Sequence, residues 1–261
     1  MTTQMYKIIE QRFGSYVDSF RDNAGELSRM LQLKLTHTMH VVKDAKLIMQ
    51  GEKWNKESTP IGEVCALLHD IGRFSQFHEF GTFLDSESID HARRGIEIIS
   101  RTNILKGVSL RESQQIENAI SWHNKKLLPQ QMDKDNAKLA HLLRDADKLD
   151  IFRVIESAVE DGSIENTPEL TWGLDIRGDP NPEVVEAIIK GEPIDYAKIK
   201  SRSDFILIQL GWIISGFHNK TALRIIRERK VVDFRQSYLK TLTSSPCIEH
   251  CCKEALKALD C

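Results

Sequence analysis

The sequence predicts an all-α protein, and two observations carry that prediction. Apolar residues recur at helical spacing along nearly the whole chain, and runs that alternate like a half-buried strand are almost absent. Val41, Ala45 and Ile48 form the first apolar stripe, and Val64, Leu67 and Leu68 the second. Ile89, Ala92, Ile96 and Ile99 make a third, and Ile116, Ala119 and Ile120 a fourth. Leu139, Leu142, Leu143, Ala146 and Leu149 make the fifth. The helix containing His91 has the clearest start: Ser86 or Ser88 is placed to cap its first turn, and Asp90 lies near its positive end. Residues 161–200 are richer in Pro, Gly and acids, which predicts connecting segments around a short helix at Glu183 to Lys190. Helical periodicity returns over Ser203 to Tyr238. Within it, Phe205 to Phe217 is the most apolar stretch, yet it contains Gln209 and two glycines and falls short of the about 20 residues a membrane helix needs. It reads as a buried core helix. Residues 200–261 form a C-terminal helical extension expected to pack on the first part, giving a single all-helical domain over residues 1–261, because roughly 60 residues bury too little surface alone.

The chain has 261 residues, 41% hydrophobic and 28% charged, a balance that excludes disordered and fibrous architectures. Lys and Arg number 36 against 38 Asp and Glu, so a net charge of -2 provides no global field for nucleic acid or an anionic membrane. The opening MTTQMYKIIEQRFG has no basic segment followed by an apolar one, so no secretory signal is read and a cytoplasmic location is expected. Cys65, Cys247, Cys251, Cys252 and Cys261 are odd in number and gathered in the tail, which favours reduced thiols over a disulfide framework. With His250, three of them resemble half a zinc site, but no second knuckle closes it, and no tail metal is expected.

The chemistry is carried by histidines and aspartates in line with the apolar stripes. His69-Asp70 follows the apolar VCALL and precedes Ile71-Gly72, so a helix runs into the pair and loosens after it, leaving two adjacent ligands able to face one cation. His37 lies four residues before Val41, on that stripe's inward face, and His123 follows Ala119 by four. His91 sits between Ile89 and Ala92 at the edge of the third stripe, and Asp147 follows Leu143 by four. An inward carboxylate without a cation is costly to bury, so several such groups converging favour a metal. Mixed imidazole and carboxylate ligands suit Mn, Fe, Co, Ni or Zn over calcium, with Mg also compatible.

The order His37, His69-Asp70, Asp147, within the strings THTMHVV, LLHDIGRF and RDADKLD, resembles the HD superfamily of metal-dependent phosphohydrolases over residues 30–157. GTFLDSESIDHA and WHNKKLLP are further similar to bacterial HD phosphohydrolases. The resemblance implies an HD-domain helical bundle in which His37, His69, Asp70 and Asp147 bind one divalent cation. Binuclear relatives add two histidines between the HD pair and the last Asp. His91 and His123 match them in order, and Asp70 would then bridge two ions. Asp145 competes with Asp147 for the last place, and Asp147 is chosen because Asp147-Lys148-Leu149 follows the family string. HDIGRF continues into SQFHEFGTF rather than a GYP-type signature, which argues against the cyclic dinucleotide phosphodiesterases.

The expected activity is hydrolysis of a phosphoester of a nucleotide-like small molecule by a metal-activated water, with Asp70 as the catalytic group that orients or deprotonates it. Fixed positive charge for the phosphate is expected from Arg73 and Lys125, chosen from Arg73, Arg94, Lys125, Arg144 and Lys148, which all lie close to proposed ligands. Asn124 and Asp145 are candidates for orienting the ligand helices. Phe74, Phe77, Phe80 and Phe83 recur every third residue and read as core packing before a pocket lining, and Trp212 and Phe217 are candidates for a lid. Two other activities stay open: a di-iron oxygenase built on the same six ligands, and a non-catalytic nucleotide-sensing module. The resemblance also implies a homo-oligomer, with no membrane or nucleic-acid partner expected.

Overall fold

The computed structural model describes residues 1–260, so Cys261 lies outside the described residues. They form twelve α-helices and four short 3-10 turns, with no strand among the described residues, which is the all-α architecture the periodicity predicts. The chain divides into two compact units, Met1–Asp150 and Ile151 onward. The first holds α1 (Thr3–Asp18), α2 (Arg29–Gly51), α3 (Thr59–Leu68), α4 (Ile71–Phe80), α5 (His91–Thr102) and α6 (Leu110–His123). α7 (Lys134–Glu160) runs through the division.

In the first unit α3 packs against α1, α2 and α6, while α5 packs against α4 and α6. Val41, Ala45 and Ile48 of α2 and Val64, Leu67 and Leu68 of α3 are all fully buried. Burying one such aliphatic side chain contributes roughly 1.5–3 kcal/mol, so these two stripes supply much of what holds the ligand-bearing helices together. Phe74 is also fully buried, edge-on to Phe13 at 6.0 Å and Tyr16 at 6.4 Å, whereas Phe80 is exposed. The four phenylalanines therefore do not act as one set.

α5 starts later than Ser86 or Ser88 would set it. Asp90 is the cap, its carboxylate accepting from the backbone N–H of Ala92 and Arg93. Ser86 lies in a 3-10 turn, Asp85–Glu87, and the Ser88 hydroxyl donates to the Leu84 carbonyl, so neither is free to cap. Ile89 thus falls outside the helix, and the buried stripe runs through Ala92, Gly95, Ile98 and Ile99, with Ile96 half-buried.

The second unit contains α8 (Pro182–Lys190), α9 (Arg202–Ser215), α10 (Lys220–Glu228), α11 (Val231–Leu242) and α12 (Cys247–Leu259). α8 begins with an Asn181 cap and Pro182 and ends at Gly191, whose φ of 66° is the left-handed turn that glycine adopts most easily. α9 opens on a reciprocal capping box between Ser201 and Asp204 and is buried along most of its length, as its apolar run predicts. Its Gln209 accepts from Arg235, a fully buried guanidinium that also donates to the Phe152 carbonyl at 3.1 Å, pairs with Glu156 and stacks on the Phe152 ring. Trp212 and Phe217 rest on that ring as well, at 6.2 and 5.8 Å, so they are packing groups here. Cys65, Cys247, Cys251 and Cys252 are free thiols, and burial pushes those of Cys251 and Cys252 up to about 12, which leaves them unreactive at neutral pH. No described helix is long and apolar enough to cross a membrane.

Candidate metal centre

α3 ends at Leu68 and α4 begins at Ile71, so the HD pair occupies the break between two helices. His69 is fully buried and Asp70 nearly so. His37 comes from the middle of α2, His91 is the first residue of α5, and His123 is the last of α6. Asp147 comes from α7. The first unit brings all six expected ligands together.

They form two imidazole pairs around one carboxylate. His37 Nε2 and His69 Nε2 lie 3.3 Å apart, and His91 Nε2 and His123 Nε2 lie 3.0 Å apart. Asp70 Oδ2 faces the first pair at 3.6 and 3.5 Å, and Oδ1 faces the second at 3.5 and 3.8 Å. Asp147 Oδ1 completes the first group, 3.2 Å from His37 Nε2 and 3.8 Å from His69 Nε2. Asp145 is fully buried two residues earlier on the same helix.

The other nitrogen of each ring is already engaged. His69 Nδ1 donates to the Ala66 carbonyl at 2.8 Å and His123 Nδ1 to the Ile120 carbonyl at 2.6 Å, roles set by the fact that a carbonyl can only accept. His37 Nδ1 donates to Asp150 at 2.7 Å and His91 Nδ1 to Asp85 at 2.7 Å. In the neutral rings, every Nε2 is then a lone pair directed at another lone pair or a carboxylate. A buried set of facing acceptors calls for positive charge among them, which a divalent cation held by these residues would supply. Two three-residue groups of ligand atoms close enough to share an ion occur here, His37, His69 and Asp70, and Asp70, His91 and His123.

The electrostatics divide the rings. Burial is the largest influence on His69 and His91 and pushes both down to about 4, so they stay neutral near pH 7. Burial and Lys34 also push His37 down, but Asp147 and Asp150 outweigh them and raise it to about 9. Burial works against the charge of Asp70, yet Lys34, His69, His123 and Arg73 together hold its carboxyl well below the usual range. In protein stripped of metal by a chelator, the depressed values of His69 and His91 contribute stability that is full above pH 6.5 and lost as pH falls toward 4. The raised value of His37 contributes stability that is full below 6.5 and lost as pH rises through 9. Chelated protein is therefore expected to be most stable near pH 6.5, each of these histidines moving stability by about 3 kcal/mol across its window. Thermal unfolding in chelator across this pH range checks it, and a midpoint that climbs steadily from 6.5 to 9 would contradict it.

Around the ligands lies a network only partly visible in the sequence. Asp150, fully buried, accepts from both His37 and His40, the latter at 3.1 Å. Asp85 holds His91 and is itself held by Arg73 at 2.9 Å and by Gln76 at 2.9 Å. Asn124, expected to orient the ligand helices, donates to Asp90 at 3.1 Å and to Asp85 at 3.4 Å. A third group able to share an ion, Asp85, Asp90 and His91, is built from these same bonds. Arg73, expected on phosphate, donates through Nη1 to Asp85, Gln76 and the Phe83 carbonyl, with Nε 3.5 Å from Asp70. Lys125 pairs with Asp90, and Arg94 is bound through both terminal nitrogens to Glu79. Arg144 donates to the carbonyls of Trp122, His123 and Lys126, pinning the end of α6 that carries His123.

Sequence reasoning passed over Lys34, whose ammonium lies 2.9 Å from Asp70 Oδ2, and Asp150. Both had a signal: Lys34 precedes His37 by three and Asp150 follows Asp147 by three, hence on the same helix faces. Asp85 had no periodic signal, because it sits in a turn, and only the string GTFLDSESIDHA contained it.

A helical bundle that gathers histidines and aspartates around an HD pair offers groups of side chains that could hold a metal ion. Residues 35–151 match the family model for the HD domain, and this part of the chain is an HD domain. Proteins with this domain are in general metal-dependent hydrolases that bind divalent cations. No curated protein and no solved structure matches the chain.

Proposed function

We propose that this centre hydrolyses a phosphoester of a nucleotide-like small molecule. In this reading His37, His69, Asp70 and Asp147 hold one divalent cation, of Mn, Fe, Co, Ni, Zn or Mg, and Asp70, His91 and His123 a second. The observation that carries it is the division of Asp70, with one oxygen turned to each imidazole pair. Divalent cations bound there supply a water of lowered pKa and neutralise phosphoryl oxygens.

The chain's own groups do the rest. Asp70, kept ionised by the cations around it, orients the attacking water by accepting a hydrogen bond; its depressed pKa makes it a weaker proton acceptor than an ordinary carboxylate. Asp150 and Asp85 fix the rings of His37 and His91, so the ligand atoms need little reorganisation. Arg73 and Asn124 hold Asp85 in turn.

Elemental analysis of protein purified without added metal or chelator is expected to find about two ions per chain, falling toward one in His123→Ala. The same preparations, screened against phosphomonoesters and phosphodiesters with Mn, Co, Ni, Mg and Fe, are expected to release phosphate or nucleoside. Inactivity across that panel would remove the proposal, and tightly held iron with oxygen consumption would replace it with the di-iron oxygenase reading.

A further inference from the structure

We propose that Lys34 is the side chain that grips the phosphoryl group of the substrate, on the His37–His69 side of the centre. This rests on the phosphohydrolase reading above.

A phosphoryl anion needs a cation that has donors to spare and reaches both solvent and the metal ligands. The arginines around the centre are fixed in place by protein acceptors, Arg73 through its Nη1 alone. Arg73 is drawn to Asp85, Gln76 and the Phe83 carbonyl, Arg94 to Glu79, and Arg144 to a row of carbonyls at the end of α6. The Lys125 ammonium is paired with Asp90, a residue that caps α5 and lies outside both Asp70-centred groups of ligands.

Lys34 is tethered by a single ion pair, to a ligand oxygen of the centre itself. It stands one turn before His37 on α2, its side chain is 19% exposed, and its ammonium lies 2.9 Å from Asp70 Oδ2. That bond uses one of three N–H donors. The face of the Phe83 ring lies beside the ammonium at 5.3 Å, a contact that favours a cation without consuming a donor. Asp70 Oδ2 is also the oxygen that faces His37 and His69. The more of its charge a cation on those ligands takes, the less it holds Lys34, and an anion beside that cation becomes the better partner for the ammonium. Four rotatable carbons let the head group move between the two without any shift of α2.

The test is isothermal titration of inorganic phosphate into the full-length, Mn-loaded protein, comparing wild type, Lys34→Met and Lys34→Arg at matched metal content checked by elemental analysis. Lys34→Met is expected to weaken phosphate binding by about 10–100-fold, the loss typical of a hydrogen bond to a charged group, while Lys34→Arg recovers most of it. Phosphate affinity unchanged in Lys34→Met overturns the assignment and leaves Lys34 as a counter-ion of Asp70 alone. Equal loss in both variants, or loss of metal from Lys34→Met, also overturns it, because the effect would then lie in the integrity of the centre. Metal-loaded wild type that binds no phosphate overturns the phosphohydrolase reading itself, and the role of Lys34 with it.

Discussion

Asp70→Ala is expected to strip the centre of both ions and to lower turnover of any phosphoester substrate by about 1,000-fold or more, since metal-ion catalysis is worth several kcal/mol and each 1.4 kcal/mol is tenfold. No other residue in the cluster serves both imidazole pairs. Its two oxygens face His37 and His69 on one side and His91 and His123 on the other. The loss has a second part. Lys34 at 2.9 Å and Arg73 at 3.5 Å both lean on this carboxylate, and removing it leaves two cations facing four imidazoles. Asp147→Ala, by contrast, touches only the His37–His69 side and is expected to spare the other group. Elemental analysis beside phosphate release reads both variants. Asp70→Ala protein that keeps its full metal content would show that Asp70 is not the shared ligand.

Gly72→Ala is expected to be the most damaging single-methyl change near the site. A β-carbon at Gly72 would stand 2.2 Å from the His91 carbonyl oxygen and 2.7 Å from the Gly95 backbone nitrogen. Both obstacles are backbone, so relief requires α4 and α5 to move apart rather than a side chain to turn. α5 begins at His91, and any displacement carries that ring away from Asp70 and from His123, now 3.0 Å distant. Overpacking of this severity costs about 3 kcal/mol or more, a fall in Tm of roughly 6–12 °C for a chain of this size. Metal content should fall on the His91–His123 side at the same time. Gly62→Ala is the internal comparison: its β-carbon would meet Met49 Sδ at 2.5 Å and Leu142 Cδ2 at 2.7 Å, both ends of flexible side chains. It is expected to cost less, and equal destabilisation by the two changes would remove the argument from backbone contact.

The six candidate ligands were legible before any coordinates because each lies on or beside an apolar stripe, and a helix transmits that periodicity directly into a face. The Asp147 carboxylate reaches His37 and His69, as the family string around Asp147-Lys148-Leu149 suggested. The start of α5 was legible only in part. Several side chains near residue 90 can cap a helix, and the choice fell to Asp90 because Ser86 and Ser88 are taken up by the turn before it.

The amino-acid sequence by itself therefore determined that this protein is helical throughout and that it carries an HD domain with a series of metal-capable side chains, because helical periodicity and ligand order are properties of a chain read along its length. Tertiary structure alone decided how the charges around those ligands are spent. Arg73, nearest the HD pair in sequence, is anchored to Asp85 in a turn twelve residues on and stands 3.5 Å from Asp70, whereas Lys34, 36 residues before Asp70, makes the closer contact with its carboxylate at 2.9 Å. Spacing along one helix says which face a side chain occupies, but whether a cation meets a carboxylate, a carbonyl or open solvent depends on which second element packs against that face.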